Sequence, residues 1–180
     1  MKDLGRDEIG RLVEQAKNLD RDALSELCVH LYPRIYRYVF YRVNNREDAE
    51  DLTSEVFVRM VKFLNTQKGS FHAWLYRIAA NLVIDYYRRR ARRKEISLGD
   101  EREEFLPSME DHAEKTLLLE ELRRALSELT EEQKQVITLK FMEGYDNSEI
   151  AEILSKSIGA VKALQFRGLA ALRESLKKES

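Results

Sequence analysis

Only two prolines, Pro33 and Pro107, stand in the 180 residues of this chain, and glycine is nearly as scarce. Proline and glycine punctuate turns and break helices, so a chain this poor in both has little from which to build a turn-rich sheet fold. Leu, Ala, Glu and Arg are abundant, and apolar residues recur at helical spacing. The expected fold is all-α: two helical domains joined by an acidic linker, the second containing a helix-turn-helix. The length suits one mid-sized domain or two small ones. Cys28 is the only cysteine, which rules out an internal disulfide and fits a reducing, cytoplasmic compartment. The start, MKDLGRDEIGRL, has no apolar signal core, and no apolar run is long enough to insert into a membrane.

The first block reads as a helical bundle. Ala23 to Val43 is one long helical pattern, with a kink expected at Pro33. Asn44-Asn45 forms a turn. Ala49, Leu52, Val56, Met60 and Phe63 then recur at helical spacing, and Asp48, Asp51, Glu55 and Lys62 occupy the outward face. Asn65 to Gly69 is a polar loop, and Ser70 is placed to cap the next helix. On that helix Trp74, Ile78 and Leu82 make the inward stripe, with Phe71 and Leu75 beside them.

The second block is more clearly punctuated. Leu117 to Leu129 is amphipathic. Thr130 and Gln133 have capping-box spacing, followed by Val136, Ile137, Leu139 and Phe141, and Gly144 ends that helix. Asp146 and Glu149 repeat the spacing ahead of Ile150, Ala151, Ile153 and Leu154. Ser155-Lys156-Ser157 is a tight turn before a last helix whose inward stripe is Val161, Leu164, Gly168 and Leu172. Two short helices joined by three residues, with small Ala151 at their crossing, form a helix-turn-helix. The early exposed residues of its second helix would meet base edges in the major groove: Lys162, Gln165, Phe166 and Arg167.

Charge is unevenly distributed. The formal net charge is −1. Residues 1–94 are strongly basic in balance, residues 95–113 strongly acidic, and residues 114–180 close to neutral. The acidic stretch EISLGDEREEFLPSMEDHA reads either as a solvated tether or as a strap that imitates nucleic acid within a positive channel. The basic block ends in WLYRIAANLVIDYYRRRARRK, Trp74 to Lys94, where an apolar helix turns into a run of arginines relieved only by Asp85. Such a segment can grip phosphates and offer aromatic faces to bases. Trp74 falls on the apolar stripe, which assigns it to the core; Tyr86 and Tyr87 fit either core or surface.

At this point the residues resemble a family. Over roughly Asp20 to Leu176 the chain is similar to the bacterial RNA polymerase sigma factors of the extracytoplasmic-function (ECF) class. DAEDLTSEVF (Asp48 to Phe57) resembles the family's core-binding helix. FHAWLYRIAANLVIDYYRRRARR (Phe71 to Arg93) resembles its promoter-melting segment. LTEEQKQVITLKFMEGYDNSEIAEIL followed by GAVKALQFRGLAALR resembles its C-terminal DNA-binding domain. The resemblance implies a core-polymerase-binding and −10 domain over 1–94, an acidic linker over 95–113 and a −35-binding domain over 114–180. It makes Asp48, Glu50, Asp51 and Glu55 candidate contacts to core RNA polymerase. Asn81 and Asp85, with the loop Asn65–Ser70, become the candidate pocket for a −10 base, and Arg88, Arg89, Arg92 and Arg93 the candidate phosphate grips. Lys162, Gln165, Phe166 and Arg167 become the candidate −35 contacts.

The partners implied are core RNA polymerase, promoter DNA and, by the habit of the family, an anti-sigma factor. Ser54 stands where the family often has Gln, Ala80 where Arg is frequent, and Asn147 where an aromatic is common. Leu164-Gln165 replaces Arg followed by Leu in the recognition helix, which leaves the promoter sequence open. No cofactor, metal site or catalytic centre is expected: Cys28 and His30 alone do not make a zinc site, and no nucleophile elbow or phosphate-binding glycine loop is present. The function expected is promoter-directed transcription initiation without enzymatic activity of its own. The alternative is a helix-turn-helix regulator acting on duplex DNA without polymerase.

Overall fold

The structure, a computed structural model, describes residues 5–96 and 124–178. Every regular element among them is helical. Four helices make the first block: α1 (Arg6–Lys17), α2 (Arg21–Val43), α3 (Arg46–Phe63) and α4 (Phe71–Ile96). The second block has α5 (Glu131–Ile137), which continues as a π-helical turn over Thr138–Met142, then α6 (Asn147–Leu154) and α7 (Ile158–Lys178). The acidic linker is largely outside the described residues, as is the start of the Leu117–Leu129 pattern; Glu95 and Ile96 extend α4.

Side-chain caps set these boundaries, because the first turn of a helix leaves backbone N–H groups without intrahelical acceptors. Asp20 Oδ1 accepts from the backbone of Asp22 at 3.0 Å and Ala23 at 3.1 Å, starting α2. Asn44 takes the left-handed conformation (φ 52°) that closes α2, and Asn45 then caps α3 through Asp48 N at 2.9 Å. The expected Ser70 cap is present, accepting from Ala73 N at 3.2 Å. Both expected capping boxes form as well: Thr130 with Gln133 opens α5, and Asp146 with Glu149 opens α6. The Asp146 carboxyl sits below the usual carboxylate range because Ser148 and the backbone of Glu149 donate to it. Ser155, also left-handed, makes the turn between α6 and α7.

The core begins between α2, α3 and α4, where Leu27, Ile35, Val39, Val56, Met60, Leu75, Ala79 and Val83 are fully enclosed. Each larger apolar side chain among them contributes about 1.5–3 kcal/mol when removed from water. The core runs on without a break into Val136, Leu139, Ile150, Ile153, Val161 and Leu164 of the second block, so the two blocks share one apolar interior. A smaller cluster of Leu126, Leu129 and Ile137 packs with Tyr41 and Leu172. Gly168 is where α7 crosses α5: a Cβ there would lie 3.0 Å from Ile137 Cγ1.

Two details differ from the expected stripes. Trp74 and Ile78 are half-buried, while Phe71, Leu75, Ala79 and Val83 form the innermost line of α4. This helix packs against α3 on one side and α6 on another, so its buried arc is wider than one stripe. Phe141, the last apolar residue of the pattern that follows Thr130, is 56% exposed. The π turn accounts for this: Glu143 N–H bonds to Thr138 O at 3.1 Å, five residues back, and the wider turn rotates the side chains on it out of the α-helical register.

Candidate nucleic-acid and polymerase interface

The acids of α3 and the arginines of α4 meet in one place. A groove of about 620 Å³ is lined by Asp51, Glu55 and Arg59 from α3 and by Asp85, Arg88, Arg89 and Arg92 from α4. Arg59 donates to Glu55 at 2.7 Å, and Arg88 lies 3.7 Å from Asp85. These side chains are between two fifths and two thirds exposed, so the pairs are weak and solvent-screened. Glutamate and arginine four apart on α3 is the sequence signal that could have placed Arg59 here. The side chain of Arg93 is outside the described part of the structure.

Two further acids of α3 are also engaged. Glu50 is exposed and paired with Arg46 at 2.9 Å. Asp48 is half-buried and accepts a 2.7 Å hydrogen bond from the Tyr86 hydroxyl, which in turn accepts from Arg90 at 2.8 Å. Burial, and next the hydrogen bond to Asp48, push the Tyr86 phenol up, so it stays a donor. Tyr87 donates to the backbone carbonyl of Arg42, and burial pushes it up too. Both tyrosines therefore spend their hydroxyls on holding α4 to the rest of the first block.

Asn81 and Asp85 line different cavities. Asn81 is exposed and lines a separate cavity of about 210 Å³ with Arg77, Glu132, Gln135 and Lys156, between the two blocks. The loop after α3 does line a cavity, of about 330 Å³, but α1 closes it with Ile9, Val13 and Lys17. Gln67 shapes that loop: it is buried, and its amide donates to Gly69 O at 2.8 Å, where Gly69 has φ +74°. The part played by α1 is invisible in the sequence, since nothing local ties residues 9–17 to residue 67.

On α7, Lys162 and Arg167 are exposed, Phe166 is 76% exposed, and Gln165 is half-buried. Val161 and Leu164 face the core, so the helix presents a basic, apolar-tipped face outward. This is the geometry by which the second helix of a helix-turn-helix offers side chains to base edges.

The two blocks are also held together by polar contacts. Glu143, whose side chain is only 2% exposed, accepts from Tyr76 at 2.7 Å and from Arg37 Nε and Nη2 at 3.1 and 3.0 Å. Burial, then the neighbouring Glu143, push Tyr76 well above the usual phenol range, and the same two causes lift Tyr145 to about 12. Arg42, fully buried, donates to Glu131 at 2.8 Å and to Tyr38 at 3.3 Å. Arg77 donates to the Glu152 carbonyl at 2.7 Å.

Among the described residues no helix is long and apolar enough to cross a membrane, and no group of three or more His, Cys, Asp or Glu could hold a metal ion. Burial pushes the Cys28 thiol up.

Two family matches fall on these two blocks: Sigma-70 region 2 over residues 27–93 and Sigma-70 region 4 over residues 119–172. Among curated proteins the chain is 35% identical to the ECF RNA polymerase sigma factor BldN of Streptomyces coelicolor. That alignment covers 94% of this chain and 66% of BldN, so the chain spans just under two thirds of that relative's length. It is 33% identical to the ECF RNA polymerase sigma factor SigX of Bacillus subtilis over 79% of this chain and 78% of SigX. Among solved structures, the sigma factor RpoE from Bartonella quintana, in complex with the anti-sigma factor NepR, shares the fold. Its TM-score is 0.73 at 22% identity, covering 85% of this chain and 96% of that one.

Proposed function

The chain belongs to the ECF class of RNA polymerase sigma factors, and from that membership we propose that it binds core RNA polymerase and directs it to promoters. On this reading residues 1–94 bind core and act on the −10 element, residues 114–180 bind the −35 element, and residues 95–113 link them. It works in the cytoplasm as an initiation factor without an active site of its own. Asp48, Glu50, Asp51 and Glu55 form the polymerase-facing acids, with Asp51 the more available because Asp48 is engaged by Tyr86, Glu50 by Arg46 and Glu55 by Arg59.

Duplex recognition falls to α7. Lys162 and Arg167 supply donors to base acceptors, Phe166 an apolar contact, and Gln165 a secondary one from its half-buried position. Strand capture falls to α4 and the loop before it. Extracting a base from the stack costs a few kcal/mol, which contacts worth about 1–3 kcal/mol per base must offset. Asp85 stands in the groove beside Arg88, Arg89 and Arg92, so one surface can meet both a base edge and its phosphates. Asn81 contributes on the side that faces the second block. RpoE of Bartonella quintana was solved with an anti-sigma factor, and a partner of that kind is proposed for this chain also.

The observation that carries the reading is the presence of two separate basic faces, one on each matched region: the arginines of α4 and the exposed side of α7. Run-off transcription with purified core polymerase and a promoter library tests it. Core binding with promoter-dependent transcripts is expected. Specific duplex binding without any effect on core would point to a regulator acting without polymerase and would sink the proposal.

A further inference from the structure

Arg77 of α4 and Gln135 of α5 bring two unused hydrogen-bond donors to one place. Both line the cavity of about 210 Å³ between the blocks, with Ile84, Ile153 and Leu154 beside them. Gln135 is 3% exposed, and its side-chain Nε2 is enclosed with no acceptor in hydrogen-bond range among the described residues. Arg77 Nε is enclosed in the same way, while Nη2 of that guanidinium donates to the Glu152 carbonyl at 2.7 Å. A buried donor left without an acceptor costs more than a typical hydrogen bond contributes, so two of them on one cavity mark a place where an acceptor belongs.

The acids of the cavity do not supply that acceptor. Glu131 is taken by Arg42 at 2.8 Å and Lys134 at 3.3 Å, and Glu132 by Lys156 at 2.7 Å. Arg77 has no carboxylate in ion-pair range among the described residues, so its charge meets only a carbonyl dipole. An oxyanion entering here gains the guanidinium charge together with both donors. The other walls are apolar: Ala80 and Ile153 are buried, Leu154 is half-buried and Ile84 is 39% exposed. Inorganic phosphate would leave these carbons uncovered, whereas a carboxylate with a short aliphatic tail covers them. A water takes about 30 Å³ of liquid volume, so the cavity suits a molecule of about seven non-hydrogen atoms.

We propose that this cavity is a binding site for a small aliphatic carboxylate, whose oxygens accept from Arg77 and Gln135 and whose tail lies on Ile84, Ile153 and Leu154. The site needs nothing from polymerase or DNA, so it stands apart from the sigma-factor reading. Asn81 lines the same cavity, so an occupant lies against a residue proposed above for the −10 strand.

The test is calorimetric titration of the full chain with isovalerate, a branched carboxylate of this size. A Kd of about 1 mM or tighter is expected. Acetate lacks the tail, isoamyl alcohol lacks the charge and inorganic phosphate lacks the apolar part, so each should bind about tenfold more weakly or worse. The side-chain amide resonances of Gln135 should shift with isovalerate. Arg77→Gln and Gln135→Leu should each weaken isovalerate binding about tenfold or more. Gln135→Leu removes an orphaned donor at similar volume, so its Tm without the carboxylate should equal or exceed that of the parent. If that variant unfolds, Arg77→Gln decides, since Arg77 is only half-buried. Isovalerate bound no more tightly than acetate, phosphate or the alcohol overturns the site. Unchanged affinity in Arg77→Gln overturns it as well. No arm uses polymerase, so failure here leaves the sigma-factor reading untouched, and failure of that reading leaves this site.

Discussion

The Tyr86 hydroxyl reaches Asp48 Oδ2 at 2.7 Å, tying the first turn of α3 to the arginine-bearing part of α4. The helix proposed to face polymerase and the helix proposed to face DNA are thus joined by a hydrogen bond between half-buried groups. Tyr86→Phe and Asp48→Ala should each lower stability by about 1 kcal/mol, and the double variant by less than the sum of the two. Chemical denaturation of the four proteins checks this. Additive losses would mean that the two side chains do not act through each other.

Arg88 and Arg89 line the groove with their guanidinium groups toward solvent. Changing both to Ala should weaken promoter opening. Removing one single-strand phosphate contact should lower the slope of log affinity against log salt by about 0.7. A −10 strand titrated against the polymerase complex at several salt concentrations gives this slope. If it stays the same, these arginines do not hold phosphate.

Lys162 and Arg167 sit on the outward face of α7, away from the buried Val161 and Leu164 of that helix. Alanine at either position should cost about 1–3 kcal/mol of discrimination between −35 sequences while leaving core binding intact. Competition between matched and mismatched duplexes, run alongside a core pull-down, separates the two effects. Equal weakening on all sequences would reassign the residue to phosphate binding.

Tyr145 gives a prediction about alkali. Its phenol is lifted from 10 to about 12 in the folded chain, chiefly by burial and then by Glu143. Between these values the unfolded chain has released the proton and the folded chain has kept it, so stability falls as pH rises. Below about pH 10 the contribution is fully present, and through about pH 12 it is lost, at up to about 1.4 kcal/mol per pH unit. Tyr145→Phe should decline less steeply over that window in denaturant titrations. Parallel declines would remove Tyr145 as a source.

Local features are the most legible in the sequence. The caps at Ser70, Thr130 and Asp146 depend on partners three residues away, and each is readable from spacing alone. The helix-turn-helix follows from two such caps and a three-residue turn. The joining of the blocks is not legible. Arg37, Arg42, Glu131 and Glu143 look like ordinary members of solvated helix faces, and their partners lie 89 and 106 residues away in the chain. Periodicity reports which side of a helix is apolar, not which polar residue will be covered by a distant element. Tyr86 and Tyr87 are ambiguous for the same reason: only the position of Asp48 and of the Arg42 carbonyl shows where their hydroxyls go. The rotation of Phe141 outward depends on a π turn, which leaves no periodic trace of its own.

The pairing of buried Arg42 with Glu131 bears on the making of chimeras. Relatives in this family share two matched regions, which invites exchanging one region between proteins as if it were an independent cassette. Here a guanidinium on one cassette is enclosed by a carboxylate on the other, and so is Glu143 by Arg37 and Tyr76. A borrowed second region lacking acids at these places would cover Arg42 without neutralising it, at a cost of about 3–5 kcal/mol. Such a hybrid would hold its halves apart. Residues 131 and 143 must therefore travel with residues 37, 42 and 76 for a graft to keep the parent's resting shape.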